Sequence, residues 1–534
     1  MPMYALGVTP LIADVASADV VQEWYADDSS AGGRLRPLRR WWDDLNAKGS
    51  DYGYFLNATK SILLVKPEAY EEATVIFAGT GVRIEKDGCR HLGAALGTPS
   101  FVEEYVANKV TDWVQQIRRL AEFASTQPQA AYSAFIQGLQ PRWSFLSRTL
   151  EDAPALFGRL EDVIRDILIP ALTGHAPPSS QERALLAFPC RHGGLGITDP
   201  TSMGGNYRNS RKITTSLWEK LIAQDSSLDG TAAQVLRMKA EVRTTLRTNL
   251  LAAVKSFKDG AGAELELQLT LASEKGASSW LTCRPLAIHG FRLSKAEFRD
   301  ALCLRYGWTP ARLPSGCVCG HGNFDVTHAL SCSTGGFPSI RHNEIRDLTA
   351  DVLRQVTHGV CTEPMLQPVT GEKFRLLSTT TADQARLDVA ANGIWGGRFE
   401  RTFLDIRVFN PYAASNRAAS VSSVYARHEK EKRRRYEQRL LEVDRATFVP
   451  VVLSATGGTS KCASALFKRL ASMLSDKLKE PYSVTMAWLR CKLSFALVRA
   501  SVMCLRGARS SAHRVTRDPA SVVVAEARVS LQDC

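Results

Sequence analysis

Hydrophobic and polar positions alternate over residues 20–26, the period of a strand. Val21, Glu23 and Tyr25 fall on one side and Val20, Gln22, Trp24 and Ala26 on the other. The run ends in adjacent carboxylates, Asp27-Asp28, followed by Ser29-Ser30. Neighbouring acids repel, so this tip reads as a turn that presents both to a divalent metal. From residue 34 to 48 the period becomes helical, with Leu35, Leu38, Trp41, Trp42 and Leu45 on one face and Gly49-Ser50-Asp51 as the stop. A strand over 61–65 and a short helix opened by Pro67 and running to Phe77 follow. The turn Glu85-Lys86-Asp87-Gly88 predicts a hairpin pairing 82–84 with 91–93. Val106, Val110, Trp113, Val114, Ile117, Leu120 and Phe123 make a stripe that predicts a helix over 102–124. Helices fill the chain to Leu172, and Pro177-Pro178-Ser179-Ser180 interrupts them. Residues 205–275 are polar-rich, with helical patches over 217–222 and 232–254.

Further on, Arg341-His342-Asn343-Glu344 begins a helix whose apolar side carries Ile345, Leu348, Val352, Leu353 and Val356. Strands are expected over 360–366, which includes Glu363-Pro364, around Arg386-Leu387-Asp388-Val389, and over 402–408, which alternates strictly. A basic helix over 421–443 and a strand over 448–453 complete this order. Gly457-Gly458-Thr459-Ser460-Lys461 is too short for a phosphate loop and reads as a turn before a helix over 463–474. The apolar run 486–503 is interrupted by Arg490, Lys492 and Arg499, so it does not suit a membrane span. Beyond it come Arg506, Arg509 and Arg514 and a tail expected to be flexible. The apolar stretch from Met3 to Val15 leads into Ala16-Ser17-Ala18 but lacks the basic leading segment of a signal peptide.

Composition narrows the function classes. A chain of 534 residues suits roughly three or four domains, and 45% hydrophobic with 23% charged residues is ordinary globular composition. The net charge of +13 favours an anionic partner, of which nucleic acid is the commonest. The twelve cysteines are scattered except for one cluster, which argues for reduced thiols and a metal site rather than a disulfide framework. Cys317, Cys319, His328 and Cys332 offer four ligands for a structural zinc ion, with His328 and Cys332 one helical turn apart. His321 is a possible substitute ligand and Cys303 a distant one; free buried cysteines beside an unrelated histidine are the plain alternative.

A second constellation is made of acids and a lysine. Asp388 and Asp405 lie on neighbouring predicted strands, where two carboxylates can hold magnesium, activate water and steady charge on a phosphate. Helix, strands, helix, strand is the order of the PD-(D/E)xK nuclease core. That pattern puts a lysine two residues after the second acid, but this position is Arg407, which stays protonated. Lys432 can replace it. At about 100° per residue it shares the arc of Val421, Tyr425, Tyr436 and Val443, the face that must pack on the sheet, whereas Lys430 points away. Arg433, Arg434 and Arg435 either bind DNA phosphate or solvate the helix, and ordinary strand-end acids are the plain alternative for Asp388 and Asp405.

These motifs together resemble the polyproteins of non-LTR retrotransposons that carry a reverse transcriptase and a restriction-like endonuclease. Tyr25-Ala26-Asp27-Asp28 resembles the polymerase motif that holds two magnesium ions, and the segment from Gly53 to Lys60 resembles the one whose lysine lies near the incoming triphosphate. The run from His91 to Gly97 looks like a primer-grip hairpin, and Gly193-Gly194-Leu195-Gly196 resembles a loop after the thumb. The cysteine cluster, Arg341-His342-Asn343-Glu344, the Arg386–Asp388 pair and Asp405-Ile406-Arg407-Val408 resemble the C-terminal half, where a displaced lysine is part of the pattern. The likeness spans most of residues 1–455.

The resemblance implies an α/β multidomain chain: a partial right-hand polymerase palm (1–100), a helical thumb (101–176), a helical connector (177–310), a zinc knuckle (311–335), a PD-(D/E)xK-like α/β nuclease core (336–475), and C-terminal helices and tail (476–534). It implies Zn2+ and Mg2+ as cofactors, DNA and RNA as partners, no membrane, and a nuclear location when acting on DNA. Asp27 and Asp28 would be polymerase ligands, Lys60 a nucleotide contact, and Asp388, Asp405 and Lys432 the endonuclease centre. The family's third polymerase aspartate and Gln-Gly segment precede the region resembling Met3-Tyr4-Ala5-Leu6, and Asp14 and Asp19 lie too close to Asp27 to replace it, so polymerase activity is not expected of this chain. Trp113 and Trp143 are expected in the core rather than as base-stacking platforms. The contrasting expectation is a non-catalytic nucleic-acid-binding protein or an inactive retroelement remnant.

Overall fold

A computed structural model describes residues 2–25, 27–222, 230–507 and 509. Arg514 and the tail from 510 lie outside the described residues. The chain is mixed α/β, mainly helical with small sheets. It divides into two compact units, one of residues 1–116, 141–162 and 199–252 and the other of 117–140, 163–198 and 253–534. No helix among the described residues is long and apolar enough to cross a membrane.

In the first unit the alternating run becomes strand β1 (Val20–Tyr25), antiparallel to β2 (Asp28–Gly33) with Tyr25 opposite Asp28. Val20 and Trp24 face inward and join Leu11, Val15, Trp41 and Leu45 in a small core; these last two come from the helix Leu35–Lys48. Gln22 ties the cluster together, since its Oε1 accepts from Nε1 of both Trp24 and Trp41 at 3.2 Å. Strand β3 (Ile62–Leu64) pairs in parallel with β4 (Arg83–Glu85), and β5 (Gly88–His91) pairs with β6 (Ala94–Gly97). The hairpin expected around Glu85–Gly88 is therefore misplaced. The turn is Leu92-Gly93, both at positive φ (44° and 87°), as a two-residue loop of the twist-matched kind requires. Trp113 and Trp143 are buried, their rings 5.8 Å apart, with Phe157 against Trp113.

The helical stripe is realised as Pro99–Ala124, but Phe123 at its end is exposed, because Ala121 and Ala124 supply the buried positions of that last turn. In the second unit, the Gly193–Gly196 loop is held by Tyr132, whose hydroxyl donates to Leu195 O at 2.6 Å. A Cβ on Gly194 would lie 1.9 Å from Phe188 O, so glycine is required there.

The sheet of this unit has four strands in the order β10 (Thr447–Ser454), β9 (Arg401–Phe409), β8 (Val389–Asn392), β7 (His358–Thr362). β7, β8 and β9 form an antiparallel meander, and the helix Val421–Glu442 crosses from β9 to the parallel β10. Ser420 caps that helix by accepting from Ser423 N. β9 alternates in sequence but is buried from Thr402 to Ile406, because helices cover both its faces. Two further expectations shift. The helix expected from Arg341 begins earlier, at Phe337, and runs to Val356; the strand expected to reach Leu366 ends at Thr362, where Glu363 turns into the left-handed region (φ 53°).

Candidate functional site

Asp388 immediately precedes β8 and Asp405 sits mid-way along β9, and the antiparallel register brings them side by side. Val389 is opposite Leu404, and the Asp388 N–H donates to Leu404 O at 3.2 Å. Asp405 is buried, and Lys432 reaches it from the 421–442 helix with Nζ 3.0 Å from Oδ1 and 2.9 Å from Oδ2. Nζ thus lies within reach of both Asp405 oxygens, and Asp388 faces the same carboxylate. Burial pushes the Asp405 carboxyl up to about 6; the Lys432 charge opposes this and the facing Asp388 adds to it.

Asp388 goes the other way. Burial acts to raise it, but His342 Nε2 at 3.0 Å from Oδ1 and the Ile406 N–H at 2.5 Å from Oδ2 together hold it below the usual carboxylate range. Two acids with opposed environments, one held ionised and one easily protonated, are what a shared cation would neutralise. Two neighbouring carboxylates make an all-oxygen donor set, which fits a hard divalent ion such as magnesium.

The sequence pattern gives His342, inside the Arg341–Glu344 motif, no separate role and does not point to Arg346. Both lie on the 337–356 helix, one turn apart, and face the end of the sheet where Asp388 stands. Arg346 bridges Asp347 (2.9 Å) and Glu363 (2.5 Å). Their i, i+4 spacing was the available signal. Arg407, at the position where a lysine is usual, is paired with Glu431 at 2.8 Å and does not complete the centre. Of the three arginines that follow Lys432, Arg433 is paired with Glu437, while Arg434 and Arg435 are exposed.

The cysteine cluster closes on itself. Among the described residues, Cys317, Cys319, His328 and Cys332 form a group of four side chains able to share one metal ion, with ligand atoms within 4.8 Å of one another. Cys317 and Cys332 sulfurs are 3.9 Å apart, and Cys319 Sγ is 3.5 Å from His328 Nε2. A tetrahedral site with Zn–S bonds of about 2.3 Å has an edge of roughly 3.8 Å, so this spacing suits zinc. Asp325 caps the short helix carrying His328, accepting from its N–H at 2.7 Å, and the Cys332 N–H donates to His328 O. Burial, with the charges of His321 and Arg509, lowers His328 and keeps the ring in the neutral, ligating form. His321 stacks on His328 at 4.3 Å, beside the four ligands, and Cys303 instead meets His175 at 3.4 Å.

No protein-family model matches this chain, and no curated protein matches it significantly.

In the first unit, Asp27 and Asp28 are exposed at the β1–β2 connection. Tyr54, from the segment likened to a nucleotide-binding one, donates to Asp27 O at 3.1 Å and meets Ser29 Oγ at 2.9 Å. Lys60 is exposed at the end of a single turn capped by Asn57. An open cleft of about 560 Å3 beside Asp28 is lined by Trp24, Tyr25, Leu92 and Trp218 among others.

Proposed function

We propose that residues 336–475 form a magnesium-dependent DNA-nicking domain, within a chain of the retrotransposon reverse transcriptase and endonuclease type. The observation that carries this is the Lys432–Asp405 pair beside Asp388. A plain strand-end acid would face water, whereas here a lysine from a separate helix is brought to a buried carboxylate that already has an acid neighbour.

Asp388 and Asp405 would hold the ion, and magnesium bound there would activate water and stabilise charge on the scissile phosphate. Lys432 supplies a fixed positive charge next to the reacting phosphate and keeps Asp405 able to ionise. His342 and the Ile406 N–H fix both oxygens of Asp388, so its carboxylate is positioned before any ligand arrives. The Cys3His cluster serves as a structural zinc knuckle. The +13 charge supports DNA and RNA as partners and the nucleus as the place of action on DNA. Asp27-Asp28, Tyr54 and Lys60 support the polymerase likeness, to which no activity is assigned.

Relaxation of a supercoiled plasmid in magnesium tests the reading: Asp388→Ala should abolish nicking and leave salt-sensitive DNA binding intact. Nicking by Asp388→Ala at the wild-type rate would refute it. The Arg407–Glu431 pair at the usual lysine position favours a second reading, a DNA-binding remnant without catalysis, for which the wild-type chain would bind but never nick.

A further inference from the structure

We propose that the loop 370–380 is a wedge for duplex DNA, inserting Leu377 between base pairs of a helix that lies across the Asp388–Asp405 centre. The inference rests on the nuclease reading and adds how the substrate is gripped.

The loop leaves the sheet region at Leu366 and returns at Ala385, where the Leu366 N–H donates to Ala385 O at 2.9 Å, three residues before Asp388. It contains no helix or strand, yet it is firmly anchored. Arg439, fully buried in the helix that carries Lys432, donates to Gln367 O (2.8 Å), Thr380 O (3.1 Å) and Ala382 O (2.9 Å). The Arg375 N–H donates to Gln438 Oε1 at 3.0 Å and Thr379 Oγ1 to Arg434 O at 3.2 Å. A buried guanidinium spent on three loop carbonyls is costly unless the loop's position matters.

What the anchored loop presents is apolar. Leu377 is 105% exposed and Leu376 is 45% exposed. Two leucines held in water at the tip of a fixed loop gain nothing in the free protein, whereas burying either against an apolar partner is favourable. Lys373 and Arg375 flank them, and Arg434 and Arg435 are exposed on the adjoining helix. Against these stand Glu372, tied back to Thr370, and Asp383. The surplus is positive, so the partner that both buries leucine and meets cations is a polyanion with stacked apolar faces. Duplex DNA answers that description, since apolar side chains inserted at base steps kink it while basic residues hold its phosphates.

The test uses the full chain in magnesium-free buffer and a short duplex with 2-aminopurine at its central steps, a base whose fluorescence is quenched by stacking. Wild type and Asp388→Ala should both raise the fluorescence on binding; Leu377→Ala should bind without the rise, and Arg375→Gln should bind with a shallower salt dependence. Leu377 is exposed, so its loss leaves folding intact. Binding by wild type with no rise, or an undiminished rise with Leu377→Ala, overturns the wedge, as does a response confined to single strands. If the wild-type signal rises but no plasmid is ever nicked in magnesium, the nuclease reading fails while the wedge stands. If nicking is normal and no rise occurs, the wedge alone fails.

Discussion

Lys432 Nζ lies 2.9 Å from the buried carboxylate of Asp405, joining a crossover helix to the central strand of the sheet. The two residues are far apart in sequence and meet where a second acid, Asp388, is held ionised by His342. Removing the cation leaves Asp405 buried beside a negative neighbour, so Lys432→Met should keep it protonated at neutral pH. Plasmid nicking should then fall by about a hundredfold or more, with DNA binding retained. Near-normal nicking by this variant would refute a catalytic role for the pair.

His342 Nε2 lies 3.0 Å from Asp388 Oδ1, so under the nuclease proposal its role is to orient that carboxylate. Replacing His342 with glutamine should weaken magnesium binding by about tenfold to a hundredfold. Nicking measured against magnesium concentration would show half-saturation moved to higher metal with the plateau largely kept. A lowered plateau at unchanged half-saturation would argue against the positioning role.

The knuckle should bind one zinc ion per chain. Cys319 is the exposed ligand, so Cys319→Ser removes a metal bond with little loss of packing. Elemental analysis is expected to give about one zinc for wild type and for the control Cys361→Ser, and much less for Cys319→Ser. Equal zinc in all three would exclude this cluster.

Glu274 predicts a pH dependence. Burial raises it from the usual carboxylate value to about 7, opposed by the nearby Tyr425 and Ser454 hydroxyls, the latter donating to Oε2 at 3.4 Å. A folded value above the unfolded one means that the folded state holds the proton more tightly. The contribution is complete below about pH 4.5 and is lost as pH rises through 7, up to about 3 kcal/mol in all. Denaturant melts of wild type and Glu274→Gln should converge at low pH relative to their separation at pH 8, where the wild type should be the less stable. Parallel pH profiles would contradict the assignment.

Trp143 is fully buried against Trp113. Trp143→Ala should cost about 3–5 kcal/mol of stability. A DNA affinity measured on the folded fraction should not change; selective loss of DNA binding without destabilisation would restore the base-stacking role.

Much of the local structure was legible in the sequence. The switch from period two to 3.6 marked β1, the Leu35–Lys48 and Pro99–Ala124 helices and the 421–442 helix, because each buries one face and the pattern of that face is written in neighbouring residues. The same reasoning put Lys432 on the sheet-facing arc, and ligand spacing picked out the four residues that come within 4.8 Å. Turn chemistry failed at Glu85–Gly88, since a leucine at positive φ carries no local warning that Leu92-Gly93 makes the turn, although the hairpin does fall on the His91–Gly97 run marked by the resemblance.

By itself the sequence determined which residues share a helix or strand face and which side chains could ligate a metal, because those are consequences of local geometry. Only the tertiary structure decided that His342 steadies Asp388, that β9 is buried on both faces, and that Arg439 pins the loop bearing Leu377 to the helix that carries Lys432. Each of these depends on which elements pack together across many intervening residues, and burial changes the energy of a charge or hydrogen bond in ways that no short stretch of chain records.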